Sequence, residues 1–168
     1  MSKSFRLGLT IALIVIFIDQ LSKWWILVKV MNPPKIIQIT NYFNLVLTWN
    51  RGVSFGLFND EGNWGAWIFS ILALIIVTIL LFWLRKAETK IISIALGFII
   101  GGALGNVIDR INHTAVVDFL DFYIGRIHWP AFNAADSFIT LGAVILIVDS
   151  LFAGQKISSD VNNQKPSG

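Results

Sequence analysis

The chain has 168 residues, 55% of them apolar and only 14% charged, with a mean hydropathy of +0.71; soluble domains carry roughly 25% charged residues, so this excess of apolar side chains belongs in lipid. With no cysteine and two histidines, the sequence excludes disulfide frameworks, thiol nucleophiles and the usual zinc cages, which leaves carboxylates, hydroxyls and lysine for any chemistry. The net charge of +3 comes from basic residues scattered at helix ends, so they read as topology signals and not as a nucleic-acid surface.

A membrane span needs about 20 mostly apolar residues to cross roughly 30 Å of hydrocarbon. Four windows meet that need, at residues 7–28, 64–84, 91–108 and 136–152. They predict an all-α membrane fold of four transmembrane helices in one domain over residues 1–155, followed by a disordered polar tail from Lys156 to Gly168. The first window has the basic flank and apolar run of a cleavable signal peptide, but Asp19-Gln20-Leu21-Ser22-Lys23-Trp24-Trp25 offers no small-residue cleavage site. Hydrophobicity resumes at Ile26, Leu27 and Val28, so the segment is kept as a helix.

Asp19 and Lys23 lie inside this first span at i, i+4 spacing, on one face and one turn apart. Each costs about 2.5–3.5 kcal/mol at mid-helix on insertion scales, a cost that pairing offsets. They fit either a structural ion pair or the flank of a site.

Basic residues in short loops are retained in the cytoplasm. Lys3 and Arg6, then Arg85, Lys86 and Lys90, then Lys156 and Lys165 put both termini and the middle connection inside. Residues 29–63 and 109–135 then face outward. In the first outer loop Ile37, Ile39, Tyr42, Phe43, Leu45, Leu47 and Trp49 alternate with polar residues, which predicts a small extracytoplasmic β-rich segment between helices 1 and 2, lying on the membrane surface.

Gly97, Gly101 and Gly105 repeat every fourth residue in the third span, with Gly102 adjacent, and strip a face for close helix approach. Asn106, Asp109 and Arg110 follow at its outer end and fit either an interface marker or a site. Between the third and fourth spans Asp118 and Asp121 sit among Val and Phe, where ionisation is costly; taken singly, they also fit surface loop positions. Asp136 fits the N-cap of the last helix.

Four blocks together resemble the lipoprotein signal peptidases, or signal peptidase II family, along nearly the whole chain. They are Asp19-Gln20-Leu21-Ser22-Lys23; Asn50-Arg51-Gly52-Val53-Ser54-Phe55-Gly56; Gly101-Gly102-Ala103-Leu104-Gly105-Asn106-Val107-Ile108-Asp109-Arg110; and the pair Val116-Val117-Asp118-Phe119 with Phe132-Asn133-Ala134-Ala135-Asp136. The resemblance implies an aspartic endopeptidase with its catalytic carboxylates on Asp118 and Asp136, and it excludes Asp121. Asp19, Lys23, Asn50, Gly52, Asn106, Asp109, Arg110, Asn133 and Ala135 match positions that support the site, hold substrate backbone or keep the fold. It further implies no metal or cofactor, prolipoproteins carrying a diacylglyceryl-modified cysteine as substrates, membrane lipids as surroundings, a monomer, and a bacterial inner-membrane location with the site at the outer leaflet. The loop around Asn50 is expected to cover the peptide.

Two other classes account for less of the sequence. A transporter or proton relay predicts ionisable residues along a path through the membrane, whereas the second span has none and the charges gather at one side. An assembly partner without chemistry rests on the glycine face alone and leaves the two aspartates unexplained.

Overall fold

The computed structural model describes residues 2–52 and 64–163. Val53 to Gly56 of the second motif block, and with them most of the loop expected to cover the peptide, lie outside the described residues.

Helix α1 (Lys3–Trp25) starts at Ser2, whose hydroxyl accepts the Phe5 N–H at 3.1 Å, and runs on into a π-helical turn at Ile26–Val30. Helices α2 (Trp64–Arg85), α3 (Lys90–His113) and α4 (Ala134–Asn163) follow. All four are long and apolar enough to cross a membrane. Helix α3 reaches His113 instead of stopping near Ile108, because Asp109 is turned inward and buried rather than marking an exit to water. Helix α4 also outruns its apolar window, which ends at Phe152. The stretch expected to be a disordered tail is helical through Asn163, as no proline falls between Ala134 and Pro166. Residues 164–168 lie outside the described residues.

Helix α3 is the centre of the bundle, and its bare face explains why. A Cβ at Gly97 or Gly101 would stand 2.6 Å from a backbone carbonyl of α1, at Gly8 or Ala12. On the other side a Cβ at Gly102 would stand 2.5 Å from the Ala135 carbonyl of α4. The glycines therefore seat α3 against two backbones at once, the close approach by which helices associate in lipid, where apolar burial supplies no drive. Large apolar side chains such as Phe17, Ile75, Ile79 and Ile147 stay exposed on the outside of the bundle, as a lipid-facing surface requires.

The extramembrane part is one antiparallel sheet in the order β1-β2-β3-β4. Strands β1 (Ile37–Thr40) and β2 (Phe43–Asn50) come from the expected segment after α1. The other half, β3 (Val116–Ile124) and β4 (Ile127–His128), comes from the connection between α3 and α4, where no strand was expected. Asp118 and Asp121 are thus strand residues, 1% and 7% exposed, and not surface loop positions. Thr48 pairs with Asp118 and Asn50 with Val116, beyond a register shift between Leu45 and Thr48.

Candidate active site

Three short hydrogen bonds bring the start of α4 beside β3. Phe119 and Leu120 both donate their N–H to the Phe132 carbonyl, at 3.0 and 2.8 Å, and Phe132 donates back to Leu120 at 3.1 Å. Asn133 is the next residue. Its side-chain carbonyl accepts the Asp136 N–H at 3.0 Å, while Asp136 Oδ2 accepts the Asn133 N–H at 3.2 Å. This reciprocal exchange is a capping box. The N-cap is therefore Asn133, and Asp136 occupies the third helical position, a correction to the reading of Asp136 as the cap itself.

With its carbonyl committed to the cap, the Asn133 amide nitrogen donates to Asp118 Oδ1 at 2.7 Å and to Asn106 Oδ1 at 3.1 Å. Asn106 in turn donates to Asp136 Oδ1 at 2.8 Å, and Asn50 donates to Asp118 Oδ2 at 2.9 Å. Both carboxyl groups thus hang from a frame of three asparagines supplied by β2, α3 and the α4 cap. Asp118 is fully buried, and Asp136 is half-buried. Burial pushes the Asp118 carboxyl up to about 6, the Asp136 charge adds to the rise, and the amides of Asn50 and Asn133 oppose it.

Below this frame lies a buried ionic cluster. Lys23 Nζ donates to Asp19 Oδ2 at 2.8 Å, Asp109 Oδ2 at 2.9 Å and Asn106 Oδ1 at 3.0 Å. Asp19 Oδ1 accepts the Ala135 N–H at 2.9 Å, and Asp109 Oδ2 accepts the Val117 N–H at 3.0 Å. Asp19 and Lys23 are therefore both a paired couple and neighbours of the frame. A residue not picked out from the sequence joins them: Gln20 Nε2 lies 2.9 Å from Asp109 Oδ1, 3.2 Å from Asp19 Oδ2 and 3.2 Å from the Gly105 carbonyl. Its signal was available, as an amide side chain next to Asp19 within the first span.

Arg110 joins no hydrogen bond of the frame. Its guanidinium carbon sits 5.8 Å from the centre of the Phe69 ring, within electrostatic reach of Asp136, Asp109 and Asp118, and its buried Nε has no hydrogen-bond partner among the described residues. Gly52 donates its N–H to Asn50 Oδ1 at 2.8 Å, which fixes the Asn50 amide toward Asp118. It does so with φ at +87° and with the Phe69 ring where a Cβ would stand, so both its conformation and its space require glycine.

Asp121 is set apart. Three positions from Asp118 on a strand, it projects from the opposite face, where its carboxylate meets His128 Nδ1 at 2.9 Å and the Asn44 amide at 2.9 Å. Burial would raise this carboxyl, but the hydrogen bonds from His128 and Asn44 outweigh it and hold it below the usual range. Among the described residues no cluster of His, Asp or Glu is arranged to hold a metal ion.

The chain matches the signal peptidase (SPase) II family model over residues 11–152. It belongs to the signal peptidase II family. A relative from Burkholderia thailandensis, a lipoprotein signal peptidase, is 46% identical over 85% of this chain and 86% of its own length. Another lipoprotein signal peptidase, from Alteromonas mediterranea, is 38% identical over 95% of this chain and 88% of its own. A solved bacterial membrane enzyme, determined by the in meso method at 2.3 Å, superposes with a TM-score of 0.72 at 28% identity, covering 96% of this chain and 93% of that one. As a signal peptidase II the chain is an aspartic endopeptidase and a multi-pass membrane protein.

Proposed function

We propose that this peptidase removes the signal peptide from diacylglyceryl-modified bacterial prolipoproteins, cutting before the lipidated cysteine with a water activated between Asp118 and Asp136. The observation that carries the reading is the shared suspension of these two carboxyls from Asn133 and Asn106, one on each side of the same pair of amides.

Peptide hydrolysis needs a nucleophilic water and an electrophilic carbonyl, and two neighbouring carboxyls sharing one proton supply both. Like charges at close range resist joint ionisation, so one group keeps a proton and acts as acid toward the carbonyl oxygen while the other takes a proton from the water. The rise of Asp118 to about 6, to which the charge of Asp136 contributes, supports this division of labour. Proton loss from the attacking water and proton gain by the departing amine then balance through the pair. Arg110 Nε, a buried donor without a partner among the described residues, fits the task of holding a substrate carbonyl.

In this reading the pair lies at the outer leaflet of the inner membrane with both termini cytoplasmic, as the basic residues of the short connections require. A cysteine anchored by two acyl chains holds the bond before it at that same depth, and the monomer needs no second subunit or cofactor to complete the pair. Cleavage of a diacylglyceryl-modified prolipoprotein by purified protein tests the reading. Asp118→Asn and Asp136→Asn are each expected to insert normally and lose turnover by roughly a thousand-fold or more, while Asp121→Asn keeps most of it. An inactive Asp121→Asn alongside an active Asp118→Asn would show that the pair is wrongly assigned.

A further inference from the structure

The residue immediately before each aspartate of the proposed pair has its backbone N–H held by a buried carboxylate. Val117 donates to Asp109 at 3.0 Å and Ala135 to Asp19 at 2.9 Å. These two carboxylates come from different helices, α3 and α1, and nothing in the backbone ties one to the other at this point. Two side chains do: Lys23 Nζ, at 2.8 and 2.9 Å from them, and Gln20 Nε2, at 3.2 and 2.9 Å.

We infer that Gln20 and Lys23 are positioning residues, which yoke Asp19 to Asp109 and through them fix the separation of Asp136 from Asp118. This inference rests on the proposed pairing of those two aspartates. A buried ion pair is weak evidence for a gain in stability, since desolvation consumes most of its Coulombic attraction, and Lys23 is 2% exposed with Asp19 fully buried. The geometry offers another role. Asp118 is carried by a strand and Asp136 by a helix, joined on one side of the pair at Phe132 and Asn133, and the yoke is a second tie on the other side. A single cation that donates to one carboxylate from each arm converts two placements into one. Lys23 also donates to Asn106, the residue that donates to Asp136, so it reaches the pair by a third route.

Proton sharing depends steeply on the separation of the two carboxyls, so the yoke governs the pH window of activity as well as its height. Coupled carboxyls lose their protons in two well-separated steps, and a bell-shaped rate profile spans the interval between them. Loosening the yoke lets the carboxyls part, brings the steps together and narrows the bell. Among the described residues, the charged groups that face the pair are Asp19 and Lys23 from α1, Asp109 and Arg110 from α3; α2 presents the Phe69 ring. Replacement of Gln20 changes none of these charges, which makes it the cleaner probe.

The test measures kcat, KM and the pH profile of kcat for cleavage of a diacylglyceryl-modified prolipopeptide, in parallel with thermal unfolding, for Gln20→Met, Lys23→Met and Lys23→Arg. Gln20→Met, at a part-exposed site, is expected to lower kcat roughly ten-fold with KM unchanged and to narrow the bell from both limbs, as displacement of a reacting group by a fraction of an ångström does. Lys23→Met lowers kcat further, and Lys23→Arg restores part of it. Where Lys23→Met does not fold, Gln20→Met decides alone. A Gln20→Met enzyme with normal kcat and a bell of normal width overturns the inference, as does one that loses kcat only in proportion to its loss of folded protein. Asp118→Asn and Asp136→Asn in the same assay separate the two readings: if either is active, the pair itself is wrong, whereas if both are inactive and Gln20→Met is normal, only the yoke fails.

Discussion

The Asn133 side chain spans two roles with its two ends, donating to Asp118 at 2.7 Å and accepting the N–H of Asp136 at 3.0 Å. Asn133→Asp separates them. Aspartate caps a helix as well as asparagine, so α4 keeps its start, but the donor to Asp118 and Asn106 becomes a third acceptor and adds a negative charge beside Asp118. The expected result is turnover reduced by roughly a hundred-fold or more in a protein whose helix content is unchanged. Asn133→Ala removes the cap as well and costs a further 1 kcal/mol or so of stability. Circular dichroism, thermal unfolding and the cleavage assay on both variants distinguish the roles; equal activity of Asn133→Asp and the wild type would mean that the amide donor is dispensable.

The burial of Asp118 predicts a pH dependence of stability with a definite sign. Its carboxyl holds a proton up to about 6 in the folded protein, against an ordinary value of 3.8, so the folded state binds that proton more tightly. The resulting stabilisation is complete below the ordinary value and is lost as pH rises through about 6. Its ceiling is roughly 3 kcal/mol, at about 1.4 kcal/mol for each pH unit of displacement. Unfolding followed in detergent at pH 4 and pH 8 is expected to show this difference in the wild type and its absence in Asp118→Asn. The same slope in both would place the pH dependence on another group.

The spans were legible because lipid imposes length and composition on a helix, and the glycine repeat of α3 was legible because close approach leaves a fixed spacing. The second half of the sheet was not. In Val116-Val117-Asp118-Phe119-Leu120-Asp121-Phe122 the carboxylates fall three positions apart, one on each face of the strand, so no single face reads as polar and the alternation that marks a half-buried strand is lost. Spacing alone could not separate Asp118 from Asp121 either; it was the family resemblance that preferred Asp118. The strand gives a physical account of the difference, since Asp118 faces Asn50 and Asn133 while Asp121 faces Asn44 and His128. Gln20 escaped notice because its partners, Asp109 and the Gly105 carbonyl, lie on another helix.

Two glycines separate crowding from backbone strain. A Cβ at Gly105 would stand 2.5 Å from Asp19 Oδ2, a carboxylate already fixed by Lys23, Gln20 and Ala135. Gly105→Ala is therefore expected to destabilise by about 1–3 kcal/mol and to lower turnover by displacing Asp19. Gly125, in the turn between β3 and β4, has φ at +62° and open space around it, so Gly125→Ala costs only about 1 kcal/mol from the left-handed backbone. Its turnover should match the wild type. Thermal unfolding and turnover measured together check the contrast, and equal effects on turnover would remove the link between Asp19 and the site.

Asp121 and His128 give the complementary prediction, a carboxylate that matters for the sheet and not for cleavage. The Asp121 carboxyl is held below the usual range by His128 and Asn44, so it favours the folded state above its ordinary value and loses that contribution as pH falls through its lowered one. His128→Ala leaves Asp121 with Asn44 as its remaining hydrogen-bond donor and removes the ring stacked on Tyr123 at 4.9 Å. The expected cost is about 1–2 kcal/mol, felt in the β3–β4 hairpin. Amide hydrogen exchange should quicken at Trp129, whose N–H donates across the hairpin to the Phe122 carbonyl, while Tyr123, which donates to the Tyr42 carbonyl, and Val117, fixed by Asp109, keep their protection. Cleavage is expected to stay within about two-fold of the wild type, because β3 is anchored next to Asp118 by Phe132 and not by His128. If His128→Ala instead abolished turnover with Val117 still protected, Asp121 and His128 would have to act on the reaction directly, and the separation of the two faces of β3 would not hold.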